Sequence, residues 1–144
     1  MLQQSKKVTE DFSVSPQISV EDVAEAAASG INLIINNRPD GEAIGQPTSA
    51  EIAAAAKAAD IAYAHIPIDQ RGLSHDHLDA FDQALASVEN PKALSFCASG
   101  TRSIILRSYA AARAGQAIAT LIAEAGDAGY DIAGHASALE GLGS

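Results

Sequence analysis

One cysteine, one arginine and a run of small residues between them carry the strongest chemical signal in the chain. In Ser95-Phe96-Cys97-Ala98-Ser99-Gly100-Thr101-Arg102-Ser103 the only cysteine stands where an apolar run, Ala93 to Phe96, gives way to a small-residue loop and then to a helix-compatible stretch. A strand that turns through such a loop into a helix points several unpaired backbone N–H groups, and the positive helix end, at one place. That place suits an anion: the thiolate of Cys97, a phosphoryl group it attacks, or a sulfur atom it carries. Ala98, Ser99, Gly100 and Thr101 supply the amides, and Arg102 closes the loop with a fork of donors that matches phosphate or sulfate. Ser103 is placed either to assist a thiolate leaving group or to cap the helix.

A cysteine attacks as the thiolate, and an ordinary thiol titrates near ~8.5. A helix end contributes roughly 0.3 to 2 kcal/mol, about one pKa unit at ~1.4 kcal/mol per unit, so the amides and the arginine must supply the rest. The competing role for a lone cysteine is that of a small buried hydrophobe.

Phosphoryl transfer to Cys97 also requires an acid to protonate the departing oxygen. Asp69, twenty-eight residues upstream, is the first candidate, with Asp40 and Asp76 behind it and a plain turn aspartate as the alternative. Sulfur transfer needs no such acid, so Asp69 separates the two chemistries. Arg38, in Arg38-Pro39-Asp40-Gly41, either touches substrate or only helps to form a turn. His65 reads as a strand histidine. His75-Asp76-His77-Leu78-Asp79 imitates a zinc motif, but residues two apart on a helix do not face each other. No metal and no cofactor are expected.

The elements that must hold these groups alternate between strand and helix. Strands are expected at Phe12 to Ile18, Ile31 to Asn36, Ile61 to Ile66 and Ala93 to Phe96, the last three as short apolar runs. Helices follow Ser19 (to Gly30), Thr48 with Glu51 at capping-box spacing (to Ala59) and Ser74 (to Val88), and another runs from Ser103 to Ala114. Two more close the chain near Ala117 to Ala125 and Ile132 to Leu139, with Gly126 and Gly129 as hinges. Such alternation implies an α/β fold, a parallel central sheet flanked by helices. Ligands then bind beyond the carboxyl ends of the strands, which brings Arg38, Asp40, Asp69 and Cys97 to one edge.

At 144 residues the chain suits one domain, expected over 12–142 behind a polar N-terminal extension, 1–11. A hydrophobic fraction of 47% with no long apolar run argues against a membrane partner, and a net charge of −9 argues against nucleic acid. Between Asn90 and Ala123 there is no carboxylate, yet four of the nine basic residues lie there, so the cysteine loop occupies the one electropositive segment. The partner it fits is a small anionic substrate or a phosphoprotein. One cysteine and no apolar leader suit the cytoplasm.

Four residues separate Cys97 from Arg102, where the usual tyrosine-phosphatase signature has five and many rhodaneses have four. The wider pattern nevertheless resembles a narrower group. Val14-Ser15-Pro16-Gln17, Asn36-Asn37-Arg38-Pro39-Asp40-Gly41-Glu42, Gly45-Gln46-Pro47, His65-Ile66-Pro67 and Cys97 to Ser103 together look like the phosphatase-like domain of the beta-lactamase hydrolase-like family, also labelled a sulfurtransferase family. The resemblance spans Phe12 to Leu142 and implies a dual-specificity-phosphatase-like fold, with a rhodanese-like fold as runner-up. It also implies functional association with a metallo-beta-lactamase-like hydrolase. Family members commonly carry His before the cysteine and Arg after it, whereas this chain has Phe96 and Ala98, which removes two positive groups from beside the thiol. The function expected is therefore a cysteine-dependent phosphatase-like hydrolase acting through a cysteinyl-phosphate. A rhodanese-like sulfurtransferase carrying a persulfide on Cys97 and a non-catalytic phosphate- or sulfate-binding module are the alternatives.

Overall fold

Period-two alternation in the strands sorts the apolar residues onto two faces, and helices cover both. The computed structural model of the chain describes residues 2–143. After a 3₁₀ turn at Leu2–Gln4 come β1 (Lys6–Thr9), β2 (Phe12–Ser15), α1 (Val20–Ala28), β3 (Leu33–Asn36), α2 (Ser49–Ala58), β4 (Ala62–His65), α3 (His75–Ala86), β5 (Ala93–Phe96), α4 (Thr101–Arg113), α5 (Ile118–Asp127), a 3₁₀ turn at Ala133–His135 and α6 (Ala136–Gly143). The sheet order is β1-β2-β5-β3-β4, with β1 antiparallel to β2 and all other pairs parallel.

Leu33 and Ile35 of β3 join Phe12, Val14, Ile104 and Leu106 in a core beneath α3 to α6, whereas Ile34, Leu94 and Phe96 pack with Ile18, Val23 and Ile52 beneath α1 and α2. Every residue of β3 and β5 is buried, as expected of central strands covered on both faces. The register aligns Ser15 and Asn36 with Phe96, and His65 with Asn36, so the four parallel strands end level. The loops after them share one edge, and the cysteine loop leaves the middle of it.

Three helices start where their capping residues predict. Ser19, Thr48 and Ser74 each accept from the backbone N–H three residues on, in complete capping boxes with Asp22, Glu51 and His77. The structure corrects four boundaries. Residues 6–9, read as part of a polar extension, pair with β2 as an edge strand; the exposed Lys6 and Lys7 that guard a sheet edge disguise the strand in sequence, while Val8 packs inward. The domain therefore includes part of 1–11, of which Met1 lies outside the described residues. Strand β2 stops at Ser15 because Pro16 has no N–H to donate. Helix α4 begins at Thr101, with Gly100 as its N-cap at φ +95°, so Ser103 sits inside the first turn and caps nothing. Gly126 continues α5, and only Gly129, at φ +97°, forms the turn.

Asn37, just past β3, ties this edge together. Its Oδ1 accepts from Ser95 Oγ at 2.7 Å and from Ser103 Oγ at 2.8 Å, its Nδ2 donates to Ile66 O at 3.0 Å, and its backbone bonds Phe96 O and Ile68 N. Asn37, Ser95 and Ser103 are all completely buried, so none can turn to water instead. Asn37→Ala strands two hydroxyls and one carbonyl at once and is expected to cost roughly 3–5 kcal/mol, read as a lower urea midpoint at unchanged slope.

Candidate active site

Cys97 leaves β5 with its N–H on Ser15 O, and its Sγ accepts the Gly100 N–H at 3.0 Å. The residue is buried, 1% exposed, beneath exposed Ala98 and Ser99. Ser99 Oγ donates to Thr101 Oγ1 and accepts the Thr101 N–H, which leaves the amides of Ala98, Ser99, Arg102 and Ser103 without a protein acceptor among the described residues. The first two are loop amides and the last two the orphan donors of the α4 start, and an oxyanion above the sulfur would satisfy them. Among the five predicted anion-binding positions of the loop, Ser103 is the one whose side chain is committed elsewhere, to Asn37.

Arg102 does not turn outward. Its Nη1 and Nη2 donate to Glu42 Oε2 and Oε1 at 2.8 and 2.9 Å, and Nη1 also donates to Ile68 O at 2.9 Å. A guanidinium has five N–H donors. Three go to Glu42 and Ile68, and the other two, on Nε and Nη2, lie along one edge as a fork that can serve the neighbouring Cys97 sulfur or an oxyanion bound above it. Glu42 also accepts from Arg38 Nε at 2.9 Å, while Arg38 Nη1 donates to Gln17 Oε1 at 3.1 Å. The carboxylate between two guanidinium groups is held down to about 2, through the Arg102 hydrogen bonds foremost, with Arg38 adding to them against the opposing effect of burial. Glu42 in turn raises the pKa of Arg102 against the opposing effect of burial, and the proximity of Cys97 adds to the rise. Arg38, predicted to touch substrate, thus lies in the same cluster through Glu42.

The other carboxylates separate. Asp40 accepts the Ser49 N–H at 2.8 Å at the start of α2, and Asp76 lies in the first turn of α3. Asp69 follows Ile68, whose carbonyl Arg102 holds, so its loop is fastened to the site. The Asp69 carboxylate accepts Arg71 Nη2 at 2.8 Å and the Arg71 backbone N–H at 2.9 Å, and these bonds pull its pKa to about 2. A cavity of about 350 Å³ lined by Pro67, Asp69, Arg71, Leu73 and His77 opens beside it. His77 is structural: Nδ1 accepts the Ser74 N–H and Nε2 faces Pro67 O at 3.0 Å. His65 Nε2 similarly donates to Arg38 O. A wider hollow of about 600 Å³ lies at the opposite end of the sheet, between α3 and α4, away from all of these groups.

Residues 4–119 match the family model described as the beta-lactamase hydrolase-like protein, phosphatase-like domain. The chain belongs to this family. It is 34% identical over 100 residues to the beta-lactamase hydrolase-like protein of Agrobacterium fabrum, an alignment that takes in 69% of this chain and 23% of that one. The chain thus spans about a quarter of the length of the curated relatives it matches. Among solved structures it is similar to a candidate phosphatase of Neisseria meningitidis, with 29% identity, a TM-score of 0.81 and coverage of 95% and 96% of the two chains. The core catalytic domain of a PP-IP phosphatase of S. cerevisiae shares the fold at 15% identity and a TM-score of 0.67, over 95% of this chain and 83% of that one. The family gives the chain a phosphatase-like domain, and the neighbours share its cysteine-phosphatase-like α/β fold. No helix of the described residues is long and apolar enough to cross a membrane.

Three residues around the cysteine loop were not legible as such. Glu42 and Asn37 stood inside the quoted motif, but nothing in sequence marks a loop glutamate as the partner of an arginine 60 residues away. Tyr130 lies beyond the stretch matched by the family model, and only the Gly129-Tyr130 turn after α5 hints at it.

Proposed function

We propose that this family member is a cysteine-dependent phosphatase acting on a phosphoester. Cys97 attacks phosphorus as the thiolate, an S–P bond forms, the ester P–O bond breaks, and Asp69 gives its proton to the leaving oxygen. Water then attacks phosphorus, Asp69 takes up the water's proton, and inorganic phosphate leaves with the thiolate restored. The free amides of the loop and the open edge of Arg102 receive the three equatorial oxygens, so stabilisation is almost wholly electrostatic. The observation that carries this reading is the pairing of an Sγ bonded to a loop amide with an arginine whose far donors are fixed by Glu42. The substrate is a small phosphoester or a phosphoprotein. Functional association with a metallo-beta-lactamase-like hydrolase belongs to the same proposal, supported by relatives that are longer and carry a hydrolase-like name.

Asp69 is ionised in the resting arrangement, so the proton-donating form requires the Arg71 pair to open. An arriving phosphate dianion favours this, because a like charge disfavours ionisation of the carboxyl. The descending limb of the kcat/KM profile on para-nitrophenyl phosphate reports the general acid. Arg71→Ala, which frees Asp69 toward its ordinary value, is expected to move that limb to higher pH, and Asp69→Asn to flatten it and slow poor leaving groups more than good ones. An unchanged limb in both variants removes Asp69 from the mechanism.

The same ionised Asp69 favours one second reading, since sulfur transfer needs no acid. There the thiolate of Cys97 takes the sulfane sulfur of thiosulfate, forming a persulfide and releasing sulfite. Intact mass after thiosulfate treatment tests it, the expected gain being one sulfur. Phosphate binding without either reaction would instead identify a binding module.

A further inference from the structure

The peptide between Ser99 and Gly100 is bonded on both sides. Its N–H donates to Cys97 Sγ at 3.0 Å, and its carbonyl accepts the Tyr130 hydroxyl at 2.9 Å. A trans peptide is one rigid plate with N–H and C=O pointing in opposite directions, so fixing either end aims the other. We propose that Tyr130 is a positioning residue: by holding the Ser99 carbonyl outward it keeps the Gly100 N–H on the sulfur, and so keeps in place the donor that a sulfur nucleophile needs. This rests on the reading of Cys97 as a nucleophile, not on the choice between phosphoryl and sulfur transfer.

Tyr130 is itself well anchored. It is the second residue past Ala128, the C-cap of α5, in a Schellman turn, with its N–H on Ala125 O at 2.8 Å and the Gly129 N–H on Gly126 O at 3.0 Å. Glycine 129, at φ +97°, makes that turn. The ring then fills the space a side chain on Gly100 would need: a Cβ there would overlap the phenol oxygen and stand 2.9 Å from Tyr130 Cζ. Without the clamp, little opposes rotation of the plate, because glycine accepts φ of either sign. Rotation would carry the N–H off the sulfur. The phenol also feels the site, since burial first and the Cys97 charge second raise its pKa.

Tyr130→Phe keeps the ring and removes only the hydroxyl. Alkylation of Cys97 by iodoacetamide at pH 6 is expected to slow by roughly two- to ten-fold, the range of one neutral hydrogen bond, with the gap closing at pH 9. Hydrogen exchange of the Gly100 amide should accelerate in parallel. A variant alkylated at the wild-type rate at pH 6, or one that only melts earlier and keeps the wild-type pH dependence, overturns the proposal. Should Tyr130→Phe fail to fold, a Gly100 amide exchanging at the free-loop rate in the wild-type chain overturns it equally, and a protected one supports it. A wild-type chain inert toward para-nitrophenyl phosphate, whose alkylation still slows on Tyr130→Phe, would end the phosphatase reading and leave this one standing.

Discussion

Arg102→Lys is expected to lower kcat/KM on para-nitrophenyl phosphate by about 10³-fold, equivalent to about 4 kcal/mol of transition-state stabilisation, while the fold survives. The size follows from counting donors. Arg102 already gives three N–H groups to Glu42 and Ile68 and turns the remaining planar pair to the side of Cys97. An ammonium has three donors and no plane, so it can hold Glu42 or the phosphoryl oxygens but cannot present a fork to both. Stability should change little, because the Arg102–Glu42 pair is partly exposed, at 26% and 30% of the two side chains, and a pair of that kind contributes about 1 kcal/mol at most. A variant retaining a third of wild-type activity would show that Arg102 does not touch the reacting group.

Cys97→Ser is expected to abolish turnover, by at least about 10⁴-fold, and to leave phosphate binding intact or tighter. A serine hydroxyl is not ionised at neutral pH and cannot replace the thiolate as nucleophile. It occupies nearly the same volume and can still accept the Gly100 N–H, so the cradle should persist. Removing a negative sulfur from beneath a dianion removes a like-charge repulsion, which is why affinity should not fall. Inorganic phosphate should therefore raise the melting temperature of the variant at least as far as that of the wild-type chain. Loss of both turnover and phosphate-dependent stabilisation would mean that the sulfur organises the loop and does not attack.

Three of the four parallel strands were legible as short apolar runs between turn signals and β2 by its alternation, and three helix starts because Ser19, Thr48 and Ser74 cap them. That regularity also placed the loops of Arg38, Asp69 and Cys97 on one edge. Legibility stopped where a role depends on a distant partner. Glu42 lies in an irregular loop, and its carboxylate gains meaning only when α4 delivers Arg102 to it. Asn37 resembles any turn asparagine until Ser95 and Ser103 are seen to converge on its oxygen. Strand β1 escaped because edge strands carry lysines, which local composition presents as a solvated tail. Ser103 shows the reverse error: a serine ahead of a helical run looks like a cap, but Gly100, with no side chain at all, starts the helix.

The most direct test is the intact mass of the chain, acid-quenched within its first turnovers on an aryl phosphate and then mapped by peptide. The account predicts a gain of one phosphoryl group on the peptide holding Cys97, absent in Cys97→Ser. Phosphate released with no adduct on Cys97, or a Cys97 that gains one sulfur from thiosulfate and never a phosphoryl group, would contradict it.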